Sequence, residues 1–276
     1  MGTERHQKAQ KTEIASRVIP WTLVLLMTSC ASHETNLSDQ GPRRSQPTAT
    51  NAPAAAVPRP PRPGEEEILK EAEAAPSAPF EGEGWQPLLD GKSLAAWRET
   101  DFGGRGEVEC RSNIVVLHVG DPFTGISSTN PFPQMDYEIA LDAMRVSGSD
   151  FFCGLTFPVS NSFCSLVVGG WGGSLLGLSS IDGMDASENE TTKYVSFEQG
   201  KWYRIRVRVT KDRIETWLDK EKLIDVVTTD RRISLRAGGI EMSRPLGICS
   251  WETTGAIREV KMRPVSGPAD PLRKRR

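Results

Sequence analysis

The chain has 276 residues, of which 34 are basic and 36 are acidic, so its formal net charge is -2. A charge balance of this kind provides no global attraction to nucleic acid, and no DNA- or RNA-binding role is expected. Only His118 of the three histidines lies outside the first 40 residues, which excludes a multi-histidine metal centre in the folded part. The sequence also lacks phosphate-loop, dinucleotide-binding and nucleophile-elbow patterns.

An apolar run near the N-terminus predicts a signal peptide over residues 1–29. Residues 18–29 carry no charge, and twelve helical residues extend only about 18 Å, too short for a membrane core of roughly 30 Å. The run ends in Leu26-Met27-Thr28-Ser29-Cys30, which resembles a bacterial lipobox. This predicts lipidation of Cys30 and export of the protein, held at a membrane by acyl chains alone. A signal anchor or an ordinary secretory cleavage are the alternatives.

Residues 30–79 are rich in Pro, Ala, Ser, Thr and charged side chains and contain no Phe, Tyr or Trp. Such a segment buries too little apolar surface to offset the entropy of ordering it, so it is predicted to be a disordered tether. A short helix over residues 65–75 is a minor alternative, because its apolar face is small. Residues 266–276 are predicted to form a basic tail.

The segment 80–265 is predicted to be one all-β domain. It contains every tryptophan except Trp21, and its apolar runs are short, alternate with period two and are separated by Gly, Asn, Asp and Pro clusters. This pattern is typical of a jelly-roll sandwich of two antiparallel sheets. The predicted strands are 113–118, 137–146, 151–157, 163–169, 202–210, 213–218, 223–227, 233–237 and 257–263.

A hairpin with a two-residue turn at Lys211-Asp212 would place three arginines on one face of its first strand. That register pairs Arg208 with Glu215, Arg206 with Trp217, and Arg204 with Asp219. The face is either a solvated, self-compensating surface or the concave side of the sandwich, where an indole ringed by hydrogen-bonding groups would bind sugar. The second interpretation makes Trp217, Arg204 and Arg206 candidate ligand-binding residues.

Four cysteines follow Cys30, and an exported protein can oxidise them. A turn at Pro158-Val159 would place Cys153 opposite Cys164 and allow a cross-strand disulfide. Both residues are equally compatible with free thiols in the core. A catalytic cysteine is not expected, since only His118 could serve as its imidazole partner.

The most polar segment of the domain follows a glycine cluster around Trp171. Its carboxylates and amide could bind calcium, contact a sugar or catalyse glycosidic cleavage, or simply form an exposed acidic loop. Asp182 and Asp185 are the candidate calcium ligands, and no other cofactor is expected. The catalytic candidates are Asp182, Asp185 and Glu188, and the candidate sugar contacts here are Trp171 and Asn189.

The run Leu88-Leu89-Asp90-Gly91-Lys92-Ser93-Leu94-Ala95-Ala96-Trp97 resembles the opening of the 3-keto-disaccharide hydrolase domain family. Residues 138–144, Gly154 and Lys201-Trp202 also resemble segments of that family. The resemblance implies a concanavalin-like jelly roll that cleaves or binds glycosides oxidised at C3. Phe152 and Cys153 stand where the family has Asn and Ser, so most of its polar motif is missing and no catalytic residue is transferred.

These observations predict an exported, carbohydrate-active lipoprotein that hydrolyses or binds glycosides. The alternative is a non-catalytic carbohydrate-binding or structural module of the cell envelope.

Overall fold

The computed structural model describes residues 62–265, and these form a sandwich of two antiparallel sheets. The all-β prediction is therefore confirmed. The signal peptide, the lipidation of Cys30, most of the tether and the basic tail fall outside the described residues. No helix within residues 62–265 has the length and apolar character needed to span a membrane.

The larger sheet has eight strands in the order β13-β12-β11-β6-β15-β4-β3, with β1 also pairing with β15. Its strands are β1 (Gln86–Pro87), β3 (Val108–Arg111), β4 (Ile114–Leu117), β6 (Tyr137–Ser147), β11 (Trp202–Val209), β12 (Arg213–Leu218), β13 (Glu221–Val227) and β15 (Thr254–Pro264).

The smaller sheet has seven strands in the order β10-β9-β8-β7-β14-β5-β2. Its strands are β2 (Trp97–Glu99), β5 (Phe123–Ser128), β7 (Cys153–Val159), β8 (Ser162–Gly169), β9 (Leu175–Ser179), β10 (Lys193–Tyr194) and β14 (Gly247–Trp251). The helices are α1 (Glu65–Ala74), the single turn α2 (Gly170–Gly173) and a 3-10 helix at Gly239–Ser243.

The main core lies between the two sheets and follows from the period-two alternation of the strands. In β11, Tyr203, Ile205, Val207 and Val209 are buried against the smaller sheet, while the intervening arginines face outward. The strand predicted at residues 233–237 is wrong, because Ile233 makes only an isolated bridge to Ile181. That segment instead forms part of a wall on the outer face of the smaller sheet.

The predicted register of the β11–β12 hairpin is confirmed. Arg206 pairs with Trp217 and Arg208 pairs with Glu215. The Asp219 carboxylate accepts a hydrogen bond from the backbone N–H of Arg204 at 2.8 Å. The alternation of apolar and charged residues fixes this register, because a slip by one residue would bury the arginines.

Of the two alternatives for Cys153 and Cys164, a cross-strand disulfide or free core thiols, the structure has the free thiols. The hairpin turns at Ser160-Asn161 and not at Pro158-Val159, so Cys153 pairs with Val168 and Cys164 pairs with Phe157. Both sulfur atoms are free and buried in the main core. They therefore contribute as small apolar side chains.

Thiol reactivity is expected to reflect this packing. Burial raises the pKa of the Cys164 and Cys249 thiols to about 12 and also raises the pKa of Cys153. Since the thiolate is the reactive form, a thiol reagent at pH 8 should modify at most the half-buried Cys110 in the native domain. After denaturation without reductant, four domain thiols should react, and a count of two would restore the disulfide.

The folded domain starts before residue 80, because α1 packs on the outer face of the larger sheet. Leu69 and Ala72 contact an apolar patch that includes Ile114, Val116 and Met144. The Glu65 side chain accepts hydrogen bonds from the backbone N–H of Arg62 and from Ser147. The helix therefore stabilises the sheet instead of belonging to a tether.

Candidate functional site

An aromatic cleft of about 410 Å³ lies on the outer face of the smaller sheet. Its floor includes Ser165, Val167 and Ser179, whose neighbours in β8 and β9 point the other way into the main core. Loops from both ends of these strands build the walls. The cleft is lined by Phe123, Asp150, Phe151, Ser165, Val167, Trp171, Ser179, Asp185, Arg236, Ala237, Gly238, Gly239, Ile240 and Trp251.

Four aromatic side chains provide most of the apolar surface of the aromatic cleft. The Phe123 ring meets the Trp251 ring edge-on at 4.6 Å between centroids, and Phe151 lies 6.2 Å from both. The fourth ring, Trp171, is 43% exposed. Packed rings of this kind form a rigid surface, because each one restricts the rotamers of the next.

Trp171 is presented by a tight turn that only a glycine-rich sequence can form. Trp171 itself has φ 50°, and Gly169, Gly172 and Gly173 also have positive φ, a region that other residues rarely adopt. A Cβ on Gly169 would approach an Arg145 nitrogen to 2.5 Å and the Phe152 ring to 2.9 Å. The glycines around Trp171 are therefore explained by conformation and close packing.

The buried Arg145 side chain binds the backbone of this turn. Its guanidinium donates hydrogen bonds to the carbonyl groups of Gly173 at 2.7 Å and Gly169 at 3.3 Å, and to those of Asp150 and Phe197 at 3.4 Å. Arg145 is only 7% exposed, and this burial lowers its pKa. One buried cation thus joins both ends of the turn to the neighbouring wall of the aromatic cleft.

Arg145→Gln is expected to loosen the turn without unfolding the domain. Loss of the four carbonyl contacts should accelerate amide hydrogen exchange in residues 169–174 by about tenfold or more, because local opening there becomes easier. Exchange measured by mass spectrometry checks this. Arg98→Gln, at an exposed arginine of β2, should leave the exchange of that segment unchanged. Equal exchange in both variants would contradict the role of Arg145.

Asp185 is the one sequence-predicted acidic candidate that lines the aromatic cleft. One carboxylate oxygen is 2.5 Å from Arg236, and the other accepts hydrogen bonds from Ser179 and from the backbone N–H of Ala186. The Arg236 guanidinium also lies 5.9 Å from the centre of the Trp171 ring. The Asp185 carboxylate is thus a hydrogen-bond acceptor of fixed orientation, and it lies beside the Arg236 guanidinium and near the Trp171 indole.

Asp150 is a second carboxylate of the aromatic cleft, and no sequence pattern indicates it. Its oxygens accept hydrogen bonds from the backbone N–H groups of Phe151 at 2.7 Å and Gly172 at 3.3 Å. Asp150 stands alone between a glycine turn and an apolar strand, where an acidic residue is ordinary loop composition. Only the folding of the 170–173 turn over it reveals its position.

The other acidic-loop candidates are outside the lining of the aromatic cleft. Asp182 is exposed and is bound by the Arg232 backbone N–H and the Arg231 side chain, and these hydrogen bonds lower its pKa. Glu188 is exposed. Asn189 is buried and donates to the carbonyl groups of Leu178, Met184 and Asp185, so it organises the loop.

Each of the two candidate calcium ligands, Asp182 and Asp185, forms an ion pair with a different arginine. Arg231 binds Asp182 and Arg236 binds Asp185, so each carboxylate faces a cation. Within residues 62–265, no three His, Cys, Asp or Glu side chains are grouped closely enough to hold a metal ion. The described part of the acidic loop therefore offers arginine pairs in place of a cation site.

Trp217, Arg204 and Arg206 lie on the opposite side of the molecule, on the outer face of the larger sheet. This arginine face consists of Arg204, Arg206, Arg208, Arg258 and Arg263. Two buried carboxylates bind it: Asp142 is 2.6 Å from Arg204 and 3.3 Å from Arg258, while Glu138 contacts Arg206, Arg208 and Arg263. Trp217 is 8% exposed beneath the Arg206 guanidinium, whose carbon lies 3.9 Å from the ring centre.

Residues 75–85, here called the strap, cross this arginine face. Carbonyl groups of Ala78 and Pro79 accept hydrogen bonds from Arg204, and those of Ala75 and Pro76 accept from Arg258. The guanidinium carbon of Arg204 lies 3.8 Å from the centre of the Phe80 ring, and that of Arg263 lies 4.5 Å from the centre of the Trp85 ring. The sequence candidates are therefore divided: Trp171 and Asp185 share the aromatic cleft, and Trp217, Arg204 and Arg206 belong to a covered face.

Several solved structures are similar to this chain. A Parabacteroides distasonis protein described as a candidate glycosyl hydrolase is 16% identical, with 72% of this chain and 97% of that chain covered and a TM-score of 0.44. The carbohydrate-binding module CBM66 of Bacillus subtilis is 14% identical, with coverages of 61% and 95% and a TM-score of 0.43. The exoplasmic/lumenal domain of VIP36 is 12% identical, with coverages of 69% and 94% and a TM-score of 0.49.

No curated protein matches the chain. The family model of the 3-keto-alpha-glucoside-1,2-lyase-like domain matches residues 84–263, which span nearly the whole sandwich. This match confirms the resemblance that begins at residues 88–97. The chain belongs to the 3-keto-alpha-glucoside-1,2-lyase-like domain family, which is the 3-keto-disaccharide hydrolase family of the sequence analysis.

Proposed function

We propose that the aromatic cleft binds a saccharide. The observation that carries this proposal is the combination of four aromatic rings with a few fixed polar groups in one cleft of about 410 Å³. A pyranose ring has an apolar face and a rim of hydroxyl groups, so it needs both kinds of surface together. The cleft volume is also within the roughly 300–1,000 Å³ that is usual for small-ligand sites.

The polar groups suit hydroxyl recognition. The Asp150 and Asp185 carboxylates already accept hydrogen bonds from backbone or arginine donors, so their orientations are fixed before a ligand arrives. A preorganised acceptor loses little entropy on binding. We infer that ligand hydroxyl groups donate to these carboxylates while an exposed face of the sugar packs on Trp171.

Membership of the family directs the choice of ligand to α-glucosides oxidised at C3. Each 3-keto-α-glucoside is therefore compared with the same α-glucoside that has not been oxidised at C3. A difference in affinity between these two compounds would show that the cleft recognises the keto group.

Catalysis is the second candidate function, and one specific observation favours it. Asp150 and Asp185 line the same cleft, and a pair of carboxylates is the usual requirement for glycoside hydrolysis. A carboxylate can also serve as the base that a lyase needs. Asp182 and Glu188, the other candidates from the sequence, lie outside the lining of the cleft, so this catalytic proposal assigns them no role.

A titration of the full chain with 3-keto-α-glucosides and their unoxidised counterparts tests both functions. Calorimetry measures affinity, and chromatography of the same samples detects bond cleavage. Saturable binding without products supports a binding module, while products that disappear in Asp150→Asn and Asp185→Asn support an enzyme. Absence of both binding and products would contradict the proposed function.

We also propose, from the sequence, that the protein is exported and lipid-anchored through Cys30. Diacylation is expected to keep it in the membrane fraction, because acyl chains contribute about 0.8 kcal/mol per buried methylene. Cys30→Ala should release it into the soluble fraction, as judged by immunoblotting after fractionation. Retention of that variant in the membrane would contradict the anchor.

A further inference from the structure

A second cleft, of about 300 Å³, lies between the strap and the outer face of the larger sheet. This strap cleft is bounded by Phe80, Trp85 and Trp202, and four cations also line it: Arg204, Arg206, Arg258 and Lys220. It is separate from the aromatic cleft, which lies on the other sheet. A ligand there would contact residues from the strap and from β11 together.

Two of the four cations are already engaged. Arg204 and Arg258 share the Asp142 carboxylate, and their remaining donors go to carbonyl groups of the strap. Arg258 is almost completely buried, at 3% exposed. These two arginines fix the strap on the sheet and have little capacity for a ligand.

Arg206 differs from them, because no group within residues 62–265 accepts a hydrogen bond from its guanidinium. Its nearest carboxylate oxygen, on Glu138, is 3.6 Å away, beyond hydrogen-bonding distance. That oxygen is taken by Arg208 at 2.6 Å. Arg206 is also partly buried, which lowers its pKa. Its guanidinium donors are therefore shielded from water and lack a hydrogen-bond acceptor among the described residues, an arrangement that favours an anionic partner.

Another cation of the strap cleft extends this preference, because Lys220 is exposed there. Three acids also line the cleft. Asp142 is already bound by Arg204 and Arg258, whereas Glu81 and Asp219 would repel a bare anion but would accept hydrogen bonds from hydroxyl groups.

We propose that the strap cleft binds a carboxylated sugar, such as a uronic acid unit of a saccharide, with Arg206 as the anchor of its carboxylate. A guanidinium can bind a carboxylate through two parallel hydrogen bonds, and Trp217 supports the guanidinium from behind at 3.9 Å. Hydroxyl groups of the sugar meet Glu81 and Asp219, and its ring packs beside Phe80 and Trp85. This site is independent of the saccharide proposed for the aromatic cleft.

A titration with D-glucuronate, D-glucose and inorganic phosphate, followed by NMR of the full chain, tests the proposal. Glucuronate should bind more tightly than either glucose or phosphate, because only glucuronate uses both the arginine and the aromatic and acidic walls. Phosphate binding as tight as that of glucuronate, or glucose binding as tight, would overturn the proposal.

Substitutions locate the site. Arg206→Gln should weaken glucuronate binding by about tenfold or more, since charge-assisted hydrogen bonds are lost. Lys220→Gln, at an exposed side chain that leaves the fold intact, should weaken it about threefold. The matched control Arg213→Gln, at an arginine of β12 outside the cleft, should change affinity less than twofold. Unchanged affinity in both cleft variants would overturn the proposal.

Trp171→Ala separates this proposal from the saccharide site of the aromatic cleft. It should leave glucuronate binding unaltered, because Trp171 is on the other sheet. A parallel loss of glucuronate binding in Trp171→Ala would mean that the sugar occupies the aromatic cleft and would overturn the strap-cleft assignment.

Discussion

Trp171→Ala is expected to weaken saccharide binding by roughly 30-fold while leaving the fold intact. Removal of a tryptophan that anchors a ligand typically costs about 2 kcal/mol, which corresponds to that change in the dissociation constant. Stability should change by less than about 0.5 kcal/mol, because the side chain is 43% exposed. Calorimetric titration of both proteins with the best α-glucoside measures the effect.

Tyr194→Ala is the matched control. Tyr194 is 76% exposed on the edge strand β10 and is not part of the aromatic cleft, so its removal should leave affinity unchanged. Equal losses in the two variants would indicate nonspecific stacking of sugar on exposed rings. An unchanged affinity in Trp171→Ala would remove Trp171 from the site.

Glu138→Gln is expected to reduce the free energy of unfolding by about 3 kcal/mol. Glu138 is fully buried and contacts Arg206, Arg208 and Arg263, so its neutralisation leaves three guanidinium groups around an uncharged side chain. Breaking a buried pair typically costs about 3–5 kcal/mol. The lower value applies because the arginines are 18–31% exposed. Urea denaturation measures the change.

Glu221→Gln, at an exposed position of the edge strand β13, is the control and should change stability by less than about 0.5 kcal/mol. If Glu138→Gln lost less than about 1 kcal/mol, the carboxylate would not hold the arginine face together. The strap would then have to be retained by its carbonyl and aromatic contacts alone.

The two hairpins show how far alternation in the sequence determines register. In β11 the arginines and apolar residues alternate strictly, so only one register buries the apolar side and keeps the charges outside. Strands β7 and β8 are buried on both faces over most of their length. Alternation therefore gave no constraint there, and the predicted turn was two residues too early.

The start of the domain was predicted too late for a related reason. The apolar face of α1 consists of Ile68, Leu69 and alanines, which is weak on its own. Its stability comes from a complementary apolar patch on the outer face of the larger sheet, around Ile114 and Met144. No local pattern reveals that tertiary contact.

The candidate site was predicted in part. The glycine cluster and the acidic loop indicated Trp171 and Asp185, because both features are unusual in local sequence. Trp217 was placed on the correct face of β11 and β12, but the sequence did not show that Arg206 and the strap cover that face. The sequence did not indicate three other residues of the aromatic cleft, because only the order of the strands brings them to it: Asp150, Arg236 and Trp251.

The most direct test of the saccharide site is a map of chemical-shift changes in isotope-labelled protein during titration with a 3-keto-α-glucoside. We expect the largest changes at the indole N–H of Trp171 and Trp251 and in the backbone around Asp150 and Asp185. Changes confined to the arginine face, or no saturable change at any described residue, would contradict a saccharide site in the aromatic cleft.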